Sequence, residues 1–230
     1  MLRLDRQAVR AHLVDVNDGV IATAGVVEGL LAAGASVTTI VVAALGAMVG
    51  GGVALGGMKY SEAADERDAE HAVLAEERGL HELHPDEELA ELATLYEDKG
   101  LSPALARQVA EELSATDALL HHAEVEHGIR IGDSPSPIGT AALAGLAFMV
   151  GAAIPLAVST LAPASWRVLL TIVAVVVALA GTATAVARLG GMRVGRTVLR
   201  TVTIGLLTML LPVEGGSLFD LQEGADRLCP

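Results

Sequence analysis

The sequence predicts an all-α polytopic membrane protein in which five transmembrane helices carry a three-helix cytoplasmic domain between the second and the third. Three observations predict it. The 230-residue chain is 52% hydrophobic with a mean hydropathy of +0.53, too apolar for an ordinary soluble domain. Five apolar runs reach about 20 residues, the length a helix needs to cross the hydrocarbon core. The polar residues are segregated: residues 59–137 hold 20 of the 28 acidic residues and 6 of the 7 histidines.

The five runs are Val14–Gly34, Val37–Met58, Ile138–Leu161, Val168–Ala187 and Val194–Val213. They divide the chain into an N-terminal segment with the first two helices (1–58), the acidic domain (59–137), the last three helices (138–213) and a C-terminal tail (214–230). The first run carries Asp15, Asp18 and Glu28, and the last carries Arg196 and Arg200 in its first turns, where arginines snorkel to the interface. No cleavable signal peptide is expected, because the first apolar run is too long and too charged for one. Arg3, Arg6 and Arg10 precede the first run, and Arg188, Arg193, Arg196 and Arg200 cluster around the fourth-to-fifth connection. Basic residues favour the cytoplasmic side, so the N-terminus and the acidic loop are expected there and the C-terminus opposite. The single Cys229 excludes an internal disulfide and a thiolate metal site.

Small residues recur at helix-packing spacing in the first two runs, as Gly25/Gly29, Gly46/Gly50 and Gly52/Gly56. They predict close helix approach, either within one protomer or between two.

The loop reads as three helices. Tyr60–Leu83 continues the second membrane helix. Pro85-Asp86 opens a second helix to about Asp98, with acidic residues in its first turn and Lys99-Gly100 as its stop. Ser102-Pro103 opens a third to about His127, with Ser102 as N-cap and Gly128 as C-terminal stop. Glu62, Glu66, Glu70 and Glu77 share a face of the first helix. Glu88 and Glu91 are three apart on the second, and His122 and Glu126 four apart on the third. An acidic face is ordinarily just solvated. Converging carboxylates, however, repel and raise one another's pKa, a cost that a divalent cation removes. Oxygen and imidazole donors together suit a divalent transition metal. Glu66, Glu70, Glu77, Glu88, Glu91, His122 and Glu126 on these faces are the candidate metal ligands.

Enzyme readings fail on spacing. Glu124-Val-Glu-His127 is one Glu-x-x-His where a di-iron bundle needs two, and His81/His84 are three apart where a zinc protease helix needs four. No enzyme activity, prosthetic group or nucleic-acid partner is expected. Within the bilayer, ionisable groups ordinarily face a polar path. Asp18 and Glu28, separated by about 15 Å along the helix, are expected to line one, with the Met58 thioether as a soft ligand.

The segment Val16-Asn17-Asp18-Gly19 resembles the first-helix signature of the vacuolar iron transporter family. Similar agreement extends through Arg67–Glu70, Pro85–Leu92, Tyr96–Gly100 and Gly151–Leu156, and through the order of parts. The resemblance implies a homodimer in a lipid bilayer that exports cytosolic Fe²⁺, with Mn²⁺ or Zn²⁺ as alternatives, in exchange for protons. The membrane expected is a prokaryotic plasma membrane. Asp18 matches the family's pathway carboxylate, and Glu77, Glu88, Glu91 and Glu126 match its cytoplasmic metal ligands. His122 falls where some members have a metal-binding Met. The chain departs from the family at Leu80, where a further Glu is usual and where His81 or Glu82 could substitute, at Leu55 in place of a Met, and at Lys59. Those departures leave a second reading open, a membrane-anchored metal buffer or sensor without transport.

Overall fold

The computed structural model describes residues 6–130 and 134–218. It is all-α. The helices are α1 (Arg6–Ala32), α2 (Val37–Leu83), α3 (Pro85–Asp98), α4 (Pro103–His122), α5 (Pro137–Leu161), α6 (Arg167–Leu189) and α7 (Val194–Leu218). A π-helical turn, Ala123–His127, follows α4, and a 3₁₀ turn, Ala164–Trp166, precedes α6. The chain forms two compact units, Met1–Lys59 with Ile138–Pro230, and Tyr60–Pro137.

Among the described residues, four helical segments are long and apolar enough to cross a membrane: Val37–Leu83, Pro137–Leu161, Ala164–Leu189 and Val194–Gly215. This is a membrane protein. The Arg-bearing run at Val194 qualifies. The first run, expected as a span, lies in α1, which is not among the four. Its carboxylates and flanking charges account for the difference.

In the first unit α1 packs against α6 and α7. Val20 and Ala24 of α1 meet Val175 and Leu179 of α6 and Met209 of α7 in one buried cluster. A second cluster joins Val27 to Ile40 and Ala44 of α2. The helices approach closely where side chains vanish. A Cβ on Gly19 would strike the Phe148 carbonyl of α5, and one on Gly151 would strike the Val16 carbonyl of α1. The three small-residue pairs part ways. Gly25 and Gly29 face Pro212 of α7, and Gly52 and Gly56 face α5 at Gly145 and Ala141, all within one protomer. Gly46 and Gly50 meet nothing within 4 Å.

In the second unit, Leu92 and Ala93 of α3 and Ala110 of α4 form a small core with Leu89, Tyr96 and Val125 around it. The turn chemistry follows the sequence. α3 begins at Pro85 and ends at Asp98, with Lys99 as C-cap and Gly100 at φ +99°; Gly128 takes the left-handed conformation at φ 69°. The third helix departs from expectation in three ways. Ser102 occupies the N-cap position without a side-chain cap bond. Asp117 is extended (φ −159°, ψ 92°) and breaks α4. Its Oδ1 accepts from the Leu120 N–H at 3.0 Å, so it restarts the helix as an internal N-cap. The last turn, from Ala123 to His127, is π-helical.

Candidate metal centre

The Tyr60–Pro137 unit brings together carboxylates and imidazoles from all its helices. Glu77 and His81 lie on α2, Glu88 and Glu91 on α3, His122 on α4, and Glu126 and His127 on the π turn. Three overlapping groups each place their donor atoms within 4.8 Å of one another: Glu77, His81, Glu88 and His122; Glu77, Glu126 and His127; and Glu91, His122 and Glu126. Donors on opposite sides of a divalent transition metal sit about 4 Å apart, twice a metal–nitrogen bond of roughly 2.0–2.1 Å, so little contraction would close any of these groups on an ion.

His122 is the centre of the arrangement. It is 1% exposed. Its Nδ1 lies 3.3 Å from Glu88 Oε2 and its Nε2 lies 2.8 Å from Glu126 Oε2. Yet neither ring nitrogen makes a properly directed hydrogen bond, and Glu77 Oε2 is likewise buried without a partner. Buried polar atoms are almost always satisfied, so three such atoms in one cluster make it a candidate ligand site. The His81 and His122 rings meet edge to face at 5.1 Å. His81 Nδ1 lies 3.0 Å from the Glu77 backbone carbonyl and 3.7 Å from Glu88 Oε2. When neutral it donates to that carbonyl, which leaves the lone pair on Nε2 and orients the ring.

The π turn determines which residues join. On an α-helix a residue five positions on lies about 140° round the axis. The wider π turn brings His127 back to the side of His122, alongside Glu126, as π-bulges often do at functional sites. His127 Nε2 then donates to Glu77 Oε1 at 2.9 Å. Lys99 supports the turn by donating to the Val125 carbonyl at 3.4 Å.

The electrostatics follow. Burial pushes the Glu88 carboxyl above its ordinary 4.5, opposed by His122 and His81 and reinforced by Glu77 and Glu91. The hydrogen bond to Glu77 holds the His127 imidazolium above its ordinary 6.5, with partial burial opposing and the Glu126 charge adding. Glu77, Glu88 and His122, with half-buried His81, form a buried end, and Glu91, Glu126 and His127 an exposed one. Two imidazoles and two carboxylates at the buried end form a mixed N/O donor set of the kind that Fe²⁺, Mn²⁺, Co²⁺ and Zn²⁺ accept.

The expected ligands Glu77, Glu88, Glu91, His122 and Glu126 all lie in this cluster. Glu66 and Glu70 do not. They share a face of α2 with Glu77, but Glu66 is eleven residues away, about 16 Å along the helix. Together they line a separate cavity of 210 Å³ with Arg67 and Arg130, where Ser134 donates to Glu70. Sequence reasoning left His81 and His127 outside the ligand set. His81 enters the sequence reading as a substitute for the acidic residue absent at Leu80 and as half of the His81/His84 pair, and Glu82, the other substitute, is not in the cluster.

Known proteins similar to this chain place it in a family. The VIT family matches residues 9–216. The chain belongs to the VIT family. It is 31% identical over 219 residues to a protein of Acanthamoeba castellanii called vacuolar iron transporter, covering 95% of this chain and 81% of that one. It is 26% identical over 174 residues to vacuolar iron transporter 2 of Oryza sativa subsp. japonica, covering 75% of this chain and 71% of that one.

The residues of α1 and α2 expected to line a membrane path, and their neighbours, are also placed. Asn17 is buried and accepts a hydrogen bond from Thr182 of α6. Asp15 is buried, with His12 Nδ1 3.4 Å from its carboxylate. Asp18 is exposed on α1, near enough to Asp15 and Lys59 to feel both charges. Glu28 is 2% exposed, and its Oε1 has no partner. It borders an otherwise apolar cavity of 460 Å³ between α1, α6 and α7. Met58 is exposed on α2. The structure does not gather Asp18, Glu28 and Met58 into one site.

Proposed function

We propose that this VIT-family protein is a proton-coupled exporter of divalent metal, Fe²⁺ foremost and Mn²⁺ or other divalent ions next, working as a homodimer. In this reading α1 is the fifth span, and the 59–137 domain lies in the cytosol and captures metal there. The observation that carries the proposal is the unsatisfied pair of nitrogens on buried His122, ringed by Glu88, Glu126 and His81. The exposed carboxylates Glu91 and Glu126 take up the hydrated ion, and the imidazoles replace its water further in. The names of the relatives support iron as the cargo. Asp18 binds metal and proton in turn, because both compete for the same carboxylate oxygens.

One observation favours a second reading, a metal buffer or sensor without flux. The Lys59 ammonium lies near enough to act on the charge of Asp18, and a fixed cation nearby disfavours a second cation there.

The test is metal flux into proteoliposomes under an imposed proton gradient, with Fe²⁺, Mn²⁺ and Zn²⁺ offered in parallel. Gradient-dependent flux of Fe²⁺ that disappears in Asp18→Ala, with metal binding retained, supports the exporter. Metal binding with no flux of any ion supports the buffer.

A further inference from the structure

The turn between α6 and α7 gathers positive charge that no acid among the described residues neutralises. Gly191, at φ 64°, lets the chain reverse tightly between Arg188 and Arg193. Arg193, Arg196 and Arg200 are exposed and follow at spacings of three and four, so they share one face of α7. Arg10 adds to the group: its guanidinium carbon lies 3.0 Å from where a Cβ on Gly190 would sit. No carboxylate among the described residues pairs with Arg193, Arg196 or Arg200.

This arrangement is unfavourable as it stands. α7 has no acidic residue in its first turn. The positive end of its dipole therefore meets cations instead of anions, and like charges four apart repel. An anion bound among the arginines removes both costs. There is room for one, in a cavity of 740 Å³ lined by Arg193, Arg196, Arg200 and Thr203.

The same face changes character along its length. After Arg200 it continues through Ile204, Leu207 and Leu211, which are 53%, 58% and 76% exposed. Arg200 to Leu211 spans about 16 Å, close to half the roughly 30 Å hydrocarbon core. A charged head over an apolar strip of that length matches the polarity of a phospholipid and not that of a free anion. Basic pockets at the ends of membrane helices are suited to anionic headgroups.

We propose that this face of α7 binds an anionic phospholipid, with its phosphate on Arg193, Arg196 and Arg200 and an acyl chain along Ile204, Leu207 and Leu211. The proposal needs only that the chain sits in a bilayer, so it stands or falls apart from metal transport.

The test is native mass spectrometry of the delipidated full chain in detergent, titrated with phosphatidylglycerol or phosphatidylcholine. Phosphatidylglycerol adducts are expected to exceed phosphatidylcholine adducts by at least about tenfold, to fall to the phosphatidylcholine level in R193Q/R196Q/R200Q, and to survive excess inorganic phosphate. R196Q/R200Q, which keeps Arg188 and Arg193 to support insertion, serves if the triple variant does not fold. Equal adducts from the two lipids would overturn the proposal, as would undiminished phosphatidylglycerol binding in a folded variant. Displacement of the lipid by inorganic phosphate would also overturn it, in favour of a free-anion site.

Discussion

His127 Nε2 stands 2.9 Å from Glu77 Oε1, joining residues fifty positions apart along the chain. The contact ties the π turn to α2 and closes one side of the cluster in which His122 is buried. Metal affinity should therefore depend steeply on His122 and not at all on the outlying carboxylates. His122→Ala is expected to weaken Mn²⁺ or Zn²⁺ binding by the full chain by about 10–100-fold or more, since even supporting residues of metal sites contribute on that scale. Glu66→Gln is expected to leave that affinity unchanged. Isothermal calorimetry in detergent checks both, and a loss on Glu66→Gln equal to that on His122→Ala would show that the site extends along α2.

Protons and metal should compete in the cluster in a defined direction. Both Glu88 and His127 titrate above their ordinary values. Metal binding should therefore weaken as pH falls from above 6.5, where His127 protonates first, and weaken further as Glu88 protonates. The metal-free protein should show the opposite trend. A group whose pKa is raised by folding stabilises the fold fully below its unfolded value, and that stability is lost as pH rises through the folded value. Metal-free protein is thus expected to lose stability as pH rises through the His127 transition, and metal-saturated protein to gain it. Thermal unfolding of the full chain with and without Mn²⁺ across that range checks the crossing. Parallel profiles would remove these two groups from the site.

Much of this site was legible in the sequence where local chemistry dictates it. Pro85, Pro103, Gly100 and Gly128 mark helix ends because their backbone conformations leave little choice. Glu77, Glu88, Glu91, His122 and Glu126 follow from charge segregation, 3.6-residue periodicity and the family resemblance. Two kinds of fact were not legible. Periodicity fixes a face but not a height, so Glu66 and Glu70 share a side of α2 with Glu77 without reaching its cluster. And His127 joins because the turn after α4, Ala123–His127, is π-helical, which an α-helical period excludes by construction. The separate break at Asp117 had a trace in the sequence, since Thr116-Asp117 offers N-cap residues inside an apparently continuous helix.

The α1–α5 crossing should tolerate no side chain at its tightest points. A Cβ on Gly19 or Gly151 would run into a backbone carbonyl of the opposite helix, which cannot move aside as a side chain can. Gly151→Ala is expected to cost about 1–3 kcal/mol, the range for overpacking. Gly57→Ala, with nothing within 4 Å of its Cβ position, is expected to cost nothing measurable. Thermal unfolding in detergent distinguishes them. Equal melting temperatures would mean that the helices can separate at that crossing without penalty.

The homodimer in the proposed function has a testable location. Gly46 and Gly50 meet nothing in their own protomer, unlike Gly25, Gly29, Gly52 and Gly56. Val42, Leu45, Val49 and Val53 are exposed around them on α2. Without a hydrophobic drive inside lipid, helices associate where small residues let backbones meet, and a stripe of glycines flanked by β-branched residues provides such a surface. If two copies pair there, Gly46→Leu with Gly50→Leu should abolish dimerisation while Gly57→Leu, further along the helix, reduces it less. Crosslinking in membranes through cysteines placed at Val49 is expected to trap the wild-type dimer and to lose it in the double variant. A dimer that survives both leucines would put the interface on another face, leaving the Gly46/Gly50 stripe to lipid.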